Sequence, residues 1–143
     1  MKDYEMNTEA MKQRLSQNME VTELLRMASE GSLRGILNEW IGKRGISVEA
    51  LAELSLLNRA SLYKILNGVT KQPKRNVLLR LALTLRMGFE ETQKVLKYGN
   101  QARLSSSRPR DIIISEGIIQ GRSIQDVNDR LKNHGYEDLY SNS

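Results

Sequence analysis

The sequence predicts an all-α protein, and three observations carry that expectation. Apolar residues recur at three- and four-residue spacings along most of the 143-residue chain. Aromatic residues make up only 5%, so leucine and isoleucine at helical spacing must fill the core. No two alternating segments are joined by hairpin turn chemistry. At 39% hydrophobic and 27% charged, the composition is that of a folded chain, and its length suits one compact domain with a small appendage.

Residues 1–31 form an N-terminal helical extension in this reading. They hold five of the six methionines, and Met11, Leu15 and Met19 fall on one helix face, which either packs onto the body or offers an adaptable partner surface. The first strong helix starts at the cap Ser32, carries the stripe Leu33, Ile36, Leu37, Trp40 and Ile41, and stops at Gly45. Trp40 is assigned to the core by its place in that stripe. Ser47 caps a short second helix through Ala50, Leu51 and Leu54, and Asn58 caps a third in which Leu62, Ile65 and Leu66 face inward before Gly68. Only Ser55 to Leu57 separate these two, which demands a tight crossing. Pro73 opens a fourth helix with Leu78, Leu81, Ala82 and Leu85 inward, and Phe89, Thr92 and Leu96 mark a fifth that closes at Gly99.

The polar, serine-rich stretch Asn100 to Ser107 reads as a linker. Beyond it, residues 108–143 form a C-terminal helical region serving dimerisation or regulation. The run Ile112 to Ile114 with Ile118 and Ile119 fits helix or strand by β-branching, and Pro109 and Gly121 at its ends favour helix. Five isoleucines exceed what one helix face needs against a small domain, so they either mediate dimerisation or are buried within the monomer. Ser123 with Asp126 resembles a capping box for a last helix through Ile124, Val127 and Leu131, stopped by Gly135. His134, the single histidine, suits a cation on last-turn carbonyls rather than a catalytic relay.

The charge is uneven. Residues 1–31 carry a net −2, residues 32–98 a net +7 and residues 99–143 zero, giving the total of +5. No acid occurs between Glu53 and Glu90, whereas Arg59, Lys64, Lys71, Lys74, Arg75, Arg80 and Arg86 do. A one-sign segment of this kind is either a solvated basic face or the footprint of a polyanion. The absence of cysteine removes disulfides, thiolate zinc sites and cysteine nucleophiles together. No glycine-rich phosphate loop, metal-ligand cluster or catalytic constellation is present, so neither an enzyme nor a cofactor is expected. With no apolar leader or span, the expected location is cytoplasmic and away from membranes.

The segment from Ser47 to Gly68 resembles the helix-turn-helix of the XRE family, the Cro and lambda-repressor-like regulators. Leu51 and Ala52 match its Leu-Ala pair, Leu57 the apolar turn position, Asn58 the polar cap, Leu62 and Ile65 the buried aliphatics, and Gly68 the closing glycine. Pro73, Leu78, Leu79, Leu81, Ala82 and Leu85 continue in register through the fourth helix. The resemblance implies a five-helix, lambda-repressor-like DNA-binding domain over residues 32–99 that acts on double-stranded DNA in transcription regulation, and because one such module offers few base contacts a homodimer is expected.

The physical basis of that activity is a helix held proud of the body so that its N-terminal half enters a major groove roughly 12 Å wide. With Leu62, Ile65 and Leu66 inward, the third helix presents Arg59, Ala60, Tyr63, Lys64 and Asn67. Arg59 has the fork for guanine O6 and N7, Ala60 the methyl for thymine, and Asn58 or Asn67 an amide for a base or phosphate. Lys64, Lys71, Lys74 and Arg75 are assigned to phosphates. Tyr63 either rests on the sugar-phosphate backbone or covers the junction of the third and fourth helices.

Three departures from the family bear on this. Val48 stands where many members have a glutamine that bonds a phosphate and the neighbouring helix. Leu56 replaces the turn glycine, so the turn either avoids positive φ or accepts strain. Leu66 replaces a frequent glutamate. The alternative function is therefore a helical protein-interaction module, an adaptor or inhibitor on the same scaffold, gripping an acidic protein partner through its basic face or its N- or C-terminal region.

Overall fold

A computed structural model describes residues 31–141 and, ahead of them, Glu9, Lys12 and Val21 only. The methionine stripe of Met11, Leu15 and Met19 lies outside the described residues. Among the described residues there are seven helices and no strand: α1 (Leu33–Arg44), α2 (Val48–Ser55), α3 (Arg59–Leu66), α4 (Arg75–Thr84), α5 (Phe89–Tyr98), α6 (Pro109–Gln120) and α7 (Ile124–Asn133).

Local chemistry sets most of the ends. The hydroxyls of Ser32, Ser47 and Ser123 accept from the backbone N–H three residues on, at 3.1, 3.0 and 3.1 Å, and Asn58 Oδ1 accepts from Ala60 and Ser61. Each satisfies a donor that a helix start leaves without an intrahelical partner. Gly45 and Gly121 close α1 and α6 in the left-handed conformation, with φ of 62° and 70°. The isoleucine run is helical throughout, with Pro109 in its first turn. Helix α4 starts two residues later than Pro73, because Lys74 is extended and the Pro73 carbonyl accepts instead from Gln101 Nε2 at 2.7 Å.

α1 packs on α3 and α5, α2 on α3 and α4, and α4 on α5, which is the five-helix arrangement the resemblance implies. Leu37, Leu51, Leu62, Leu78, Leu79 and Leu85 are fully buried in it, each such leucine worth roughly 1.5–3 kcal/mol. Trp40 lies only half-buried at the edge of this core, with Lys43 and Arg44 over its ring at 4.7 and 5.0 Å.

The core continues into the C-terminal helices. α6 packs on α7 and α5, and α7 on α4; Ile114, Ile118, Val127, Leu131 and Leu139 join the same cluster of buried side chains as the leucines of α1 to α4. Ile114 and Ile118 are buried, Ile113 is partly so, and Ile112 and Ile119 face solvent. The helix crossing is close at Gly117, where an added Cβ would lie 2.5 Å from Val127 Cγ2. The stretch from Asn100 to Ser107 has no helix, yet it is fastened: Leu104 is buried, its N–H donates to Gln93 Oε1, and its carbonyl accepts from Gln93 Nε2.

Candidate nucleic-acid interface

Helix α3 is held by α1 and α2. Leu62, Ile65 and Leu66 are buried against α1 and α2, Asn38 of α1 donates to the Leu66 carbonyl at 3.2 Å, and Tyr63 Oη donates to Glu49 Oε2 of α2 at 2.9 Å. The remaining residues of the segment, Asn58, Arg59, Ala60, Ser61, Tyr63, Lys64 and Asn67, are exposed. At 100° per residue Ala60, Lys64 and Asn67 lie most directly opposite the buried stripe. Arg59 and Tyr63 lie on the flank toward the first turn of α2, and Ser61 on the other flank.

The loop behind α3 is folded back on it. Val69 and Thr70 donate to the Lys64 carbonyl at 2.8 and 3.0 Å, and Gly68 takes the left-handed φ of 81° that this reversal requires. Lys71 and Lys74 are exposed on that loop. Lys71 lines a recess with Asn67 and Gly68 at the end of α3, and Lys74 lines another beside Arg75 and Arg110.

Residues 37–92 match the family described as Cro/C1-type HTH DNA-binding domain. This chain carries a Cro/C1-type helix-turn-helix DNA-binding domain. The match covers less than half of the chain, and it agrees with the XRE-family resemblance carried by Ser47 to Gly68. No curated protein and no solved structure matched the chain.

Among the predicted contact residues, Arg75 is placed otherwise than expected. Arg75 is not on the exposed face. Its guanidinium makes a two-pronged pair with the buried Asp111 carboxylate at 3.0 and 2.9 Å and donates to the carbonyls of Ala102 and Arg103, so four of its five donors are already occupied. Asn58 uses its carbonyl oxygen as the α3 cap, which leaves its amide nitrogen as the group that can reach outward. Tyr63 is tied to Glu49 rather than laid over the α3–α4 junction.

Glu49 is the residue that sequence reasoning missed. Its own backbone hydrogen bond, the Tyr63 hydroxyl and the Arg59 charge hold its carboxyl below the usual carboxylate range, and the same hydrogen bond pushes the Tyr63 phenol up. This pair links α2 to α3, while Val48 itself packs against the core. Nothing local in the sequence marks it, since Glu49 and Tyr63 are 14 residues apart.

The turn accepts strain. Leu56 closes α2 with φ 59° and ψ 43°, the left-handed region, and its side chain is 57% exposed. Behind the turn Arg80 of α4 is buried and donates to the carbonyls of Ser55 and Leu139, fixing the end of α2 to the C-terminal segment. Burial pulls the Arg80 pKa down from its ordinary value. Among the described residues no group of three or more His, Cys, Asp or Glu could hold a metal ion, and no helix is long and apolar enough to cross a membrane.

Proposed function

We propose that this protein is a sequence-specific transcription regulator that reads double-stranded DNA with α3 in the major groove. The observation that supports it most is the exposed face of α3, with Arg59, Ala60, Lys64 and Asn67 set against the buried Leu62, Ile65 and Leu66. Arg59 forks onto guanine, Ala60 meets a thymine methyl, and Asn67 or the Asn58 amide bonds a base or phosphate; Lys64, Lys71 and Lys74 hold phosphates. Tyr63 orients Glu49 and approaches the sugar-phosphate backbone with its exposed edge.

One module offers few base contacts, so the working unit is a homodimer on two half-sites roughly 34 Å apart. Residues 32–99 form the DNA-binding part and residues 108–143 the dimerising or regulatory part, with Ile112 and Ile119 one heptad apart on the solvent side of α6. The protein works in the cytoplasm, without a cofactor or a catalytic step. Selection of bound duplexes from a random pool, with the mass of the complex measured alongside, tests this reading. It predicts an enriched motif whose selectivity is lost in Arg59→Ala. An unenriched pool, or an Arg59→Ala protein of full affinity and selectivity, would overturn it.

A second reading, a module that grips an acidic protein through its basic face, is favoured by Val48, which packs against the core at the start of α2 and offers no polar group to a phosphate. It predicts only weak and sequence-blind duplex binding, at roughly 10⁻⁴ to 10⁻⁶ M in physiological salt.

A further inference from the structure

The geometry points to a second DNA-backbone contact outside the matched domain: Arg103 and Arg108, on the segment between α5 and α6, extend the basic loop of Lys71 and Lys74 onto the phosphates flanking the site read by α3. This rests on the duplex-binding reading above.

Four hydrogen bonds bring the two segments side by side. Gln72 Nε2 donates to the Asn100 carbonyl at 3.1 Å, Gln101 Nε2 to the Pro73 carbonyl at 2.7 Å, and Arg75 to the carbonyls of Ala102 and Arg103 at 2.8 and 3.2 Å. Residues 100–103 thus run beside residues 72–75, although nearly thirty residues separate them in the chain. Lys71, Lys74, Arg103 and Arg108 are all exposed.

The carboxylates nearby do not cancel this charge. Between Glu91 and Glu116 the sole acid is Asp111, which is buried and paired with Arg75, and Arg108 reaches it only at 3.8 Å while remaining 57% exposed. Glu137 lines a recess of about 420 Å³ together with Lys74, Arg75 and Arg110; with Arg75 matched to Asp111, Lys74 and Arg110 still outnumber Glu137 there. The segment is also fastened. Ser105 N–H donates to Asp111 and the Ser105 and Ser107 hydroxyls are 2.8 Å apart, just ahead of Arg108, and the Arg103 carbonyl accepts from Arg75. A preorganised cation loses less freedom on meeting a phosphate than one on a loose tail.

The test measures duplex affinity of the full chain across a salt series, for the wild type, Arg103→Ala/Arg108→Ala and Arg103→Lys/Arg108→Lys. The probes are a selected duplex and a random-sequence duplex of equal length. The Arg103 backbone carbonyl, not its side chain, holds Arg75, and Arg108 touches Asp111 only at 3.8 Å, so both variants are expected to fold, which equal melting temperatures check. Each phosphate contact contributes about 0.9 to the slope of log affinity against log salt. The alanine variant is expected to lose about 2 from that slope on both probes, so its deficit grows roughly tenfold between 200 and 50 mM salt, and the lysine variant to keep it. An unchanged slope in the alanine variant, with selectivity still dependent on Arg59, overturns the extension alone. A wild-type protein without duplex affinity overturns the duplex-binding reading and this one with it.

Discussion

The cations of α3 and its following loop differ from those at the α4–α6 contact in what their charges already hold. Arg59, Lys64, Lys71 and Lys74 stand on the surface. Arg75, by contrast, is closed around Asp111, Arg110 donates to Asn76 and to the carbonyls of Glu137 and Asp138, and Arg80 is sunk between Ser55 and Leu139. Both groups contribute equally to the net +7 of residues 32–98 or to the zero of the tail, yet only the first can meet an external anion. Net charge along a sequence therefore overstates one region and understates another, and the segment around Arg103 is a case of the latter.

That contrast can be broken at its strongest point by Asp111→Ala. The change leaves Arg75, whose side chain is only 17% exposed, without its counter-charge, so stability should fall by about 3 kcal/mol and the melting temperature by roughly 10 °C. Calorimetry checks it; a shift of only a degree or two would mean that the pair does not hold α4 to α6. Arg59→Ala should do the opposite, lowering duplex affinity by about 1–3 kcal/mol while leaving the melting temperature within the scatter of surface substitutions.

A smaller effect is expected at the turn between α2 and α3. Leu56→Gly removes a left-handed leucine whose side chain is mostly exposed, and should raise stability by about 0.5 kcal/mol after the extra chain entropy of glycine is counted. Denaturant titration would detect it, and a loss of stability would show that the Leu56 side chain is needed where it lies.

The smallest effect belongs to the corner between α6 and α7. There Arg122 pairs with Glu116 at 2.9 Å and Asp126 at 3.1 Å, and its hydrogen bonds hold both carboxyls below their usual range. Groups whose pKa is lowered by folding stabilise above their unfolded values, near pH 4, and lose that contribution as the pH falls through the lowered folded values. Amide exchange in α7 should thus quicken modestly below about pH 4, and Arg122→Ala should remove that dependence.

Much of the fold was legible because its signals are local. Ser32, Ser47, Asn58 and Ser123 act within three residues of themselves, and Gly45 and Gly121 answer to one dihedral angle. The exposed face of α3 followed from the spacing of Leu62, Ile65 and Leu66 in the same way. What escaped was set by residues far apart in the chain. Arg75 meets Asp111 across 36 positions and Tyr63 meets Glu49 across 14, so neither the occupation of one predicted phosphate ligand nor the carboxylate beside α3 could be read from neighbours. The left-handed Leu56 lay between: substitution of the turn glycine left two outcomes, and only the path of the chain into α3 decided between them.

The most direct test of the central claim is a titration of isotopically labelled protein with a selected duplex, following backbone amide shifts. The account predicts that the largest changes fall between Arg59 and Asn67 and at Lys71 to Lys74, with those of α7 nearly still. Changes that spare α3, or that gather on α6 and α7, would contradict it.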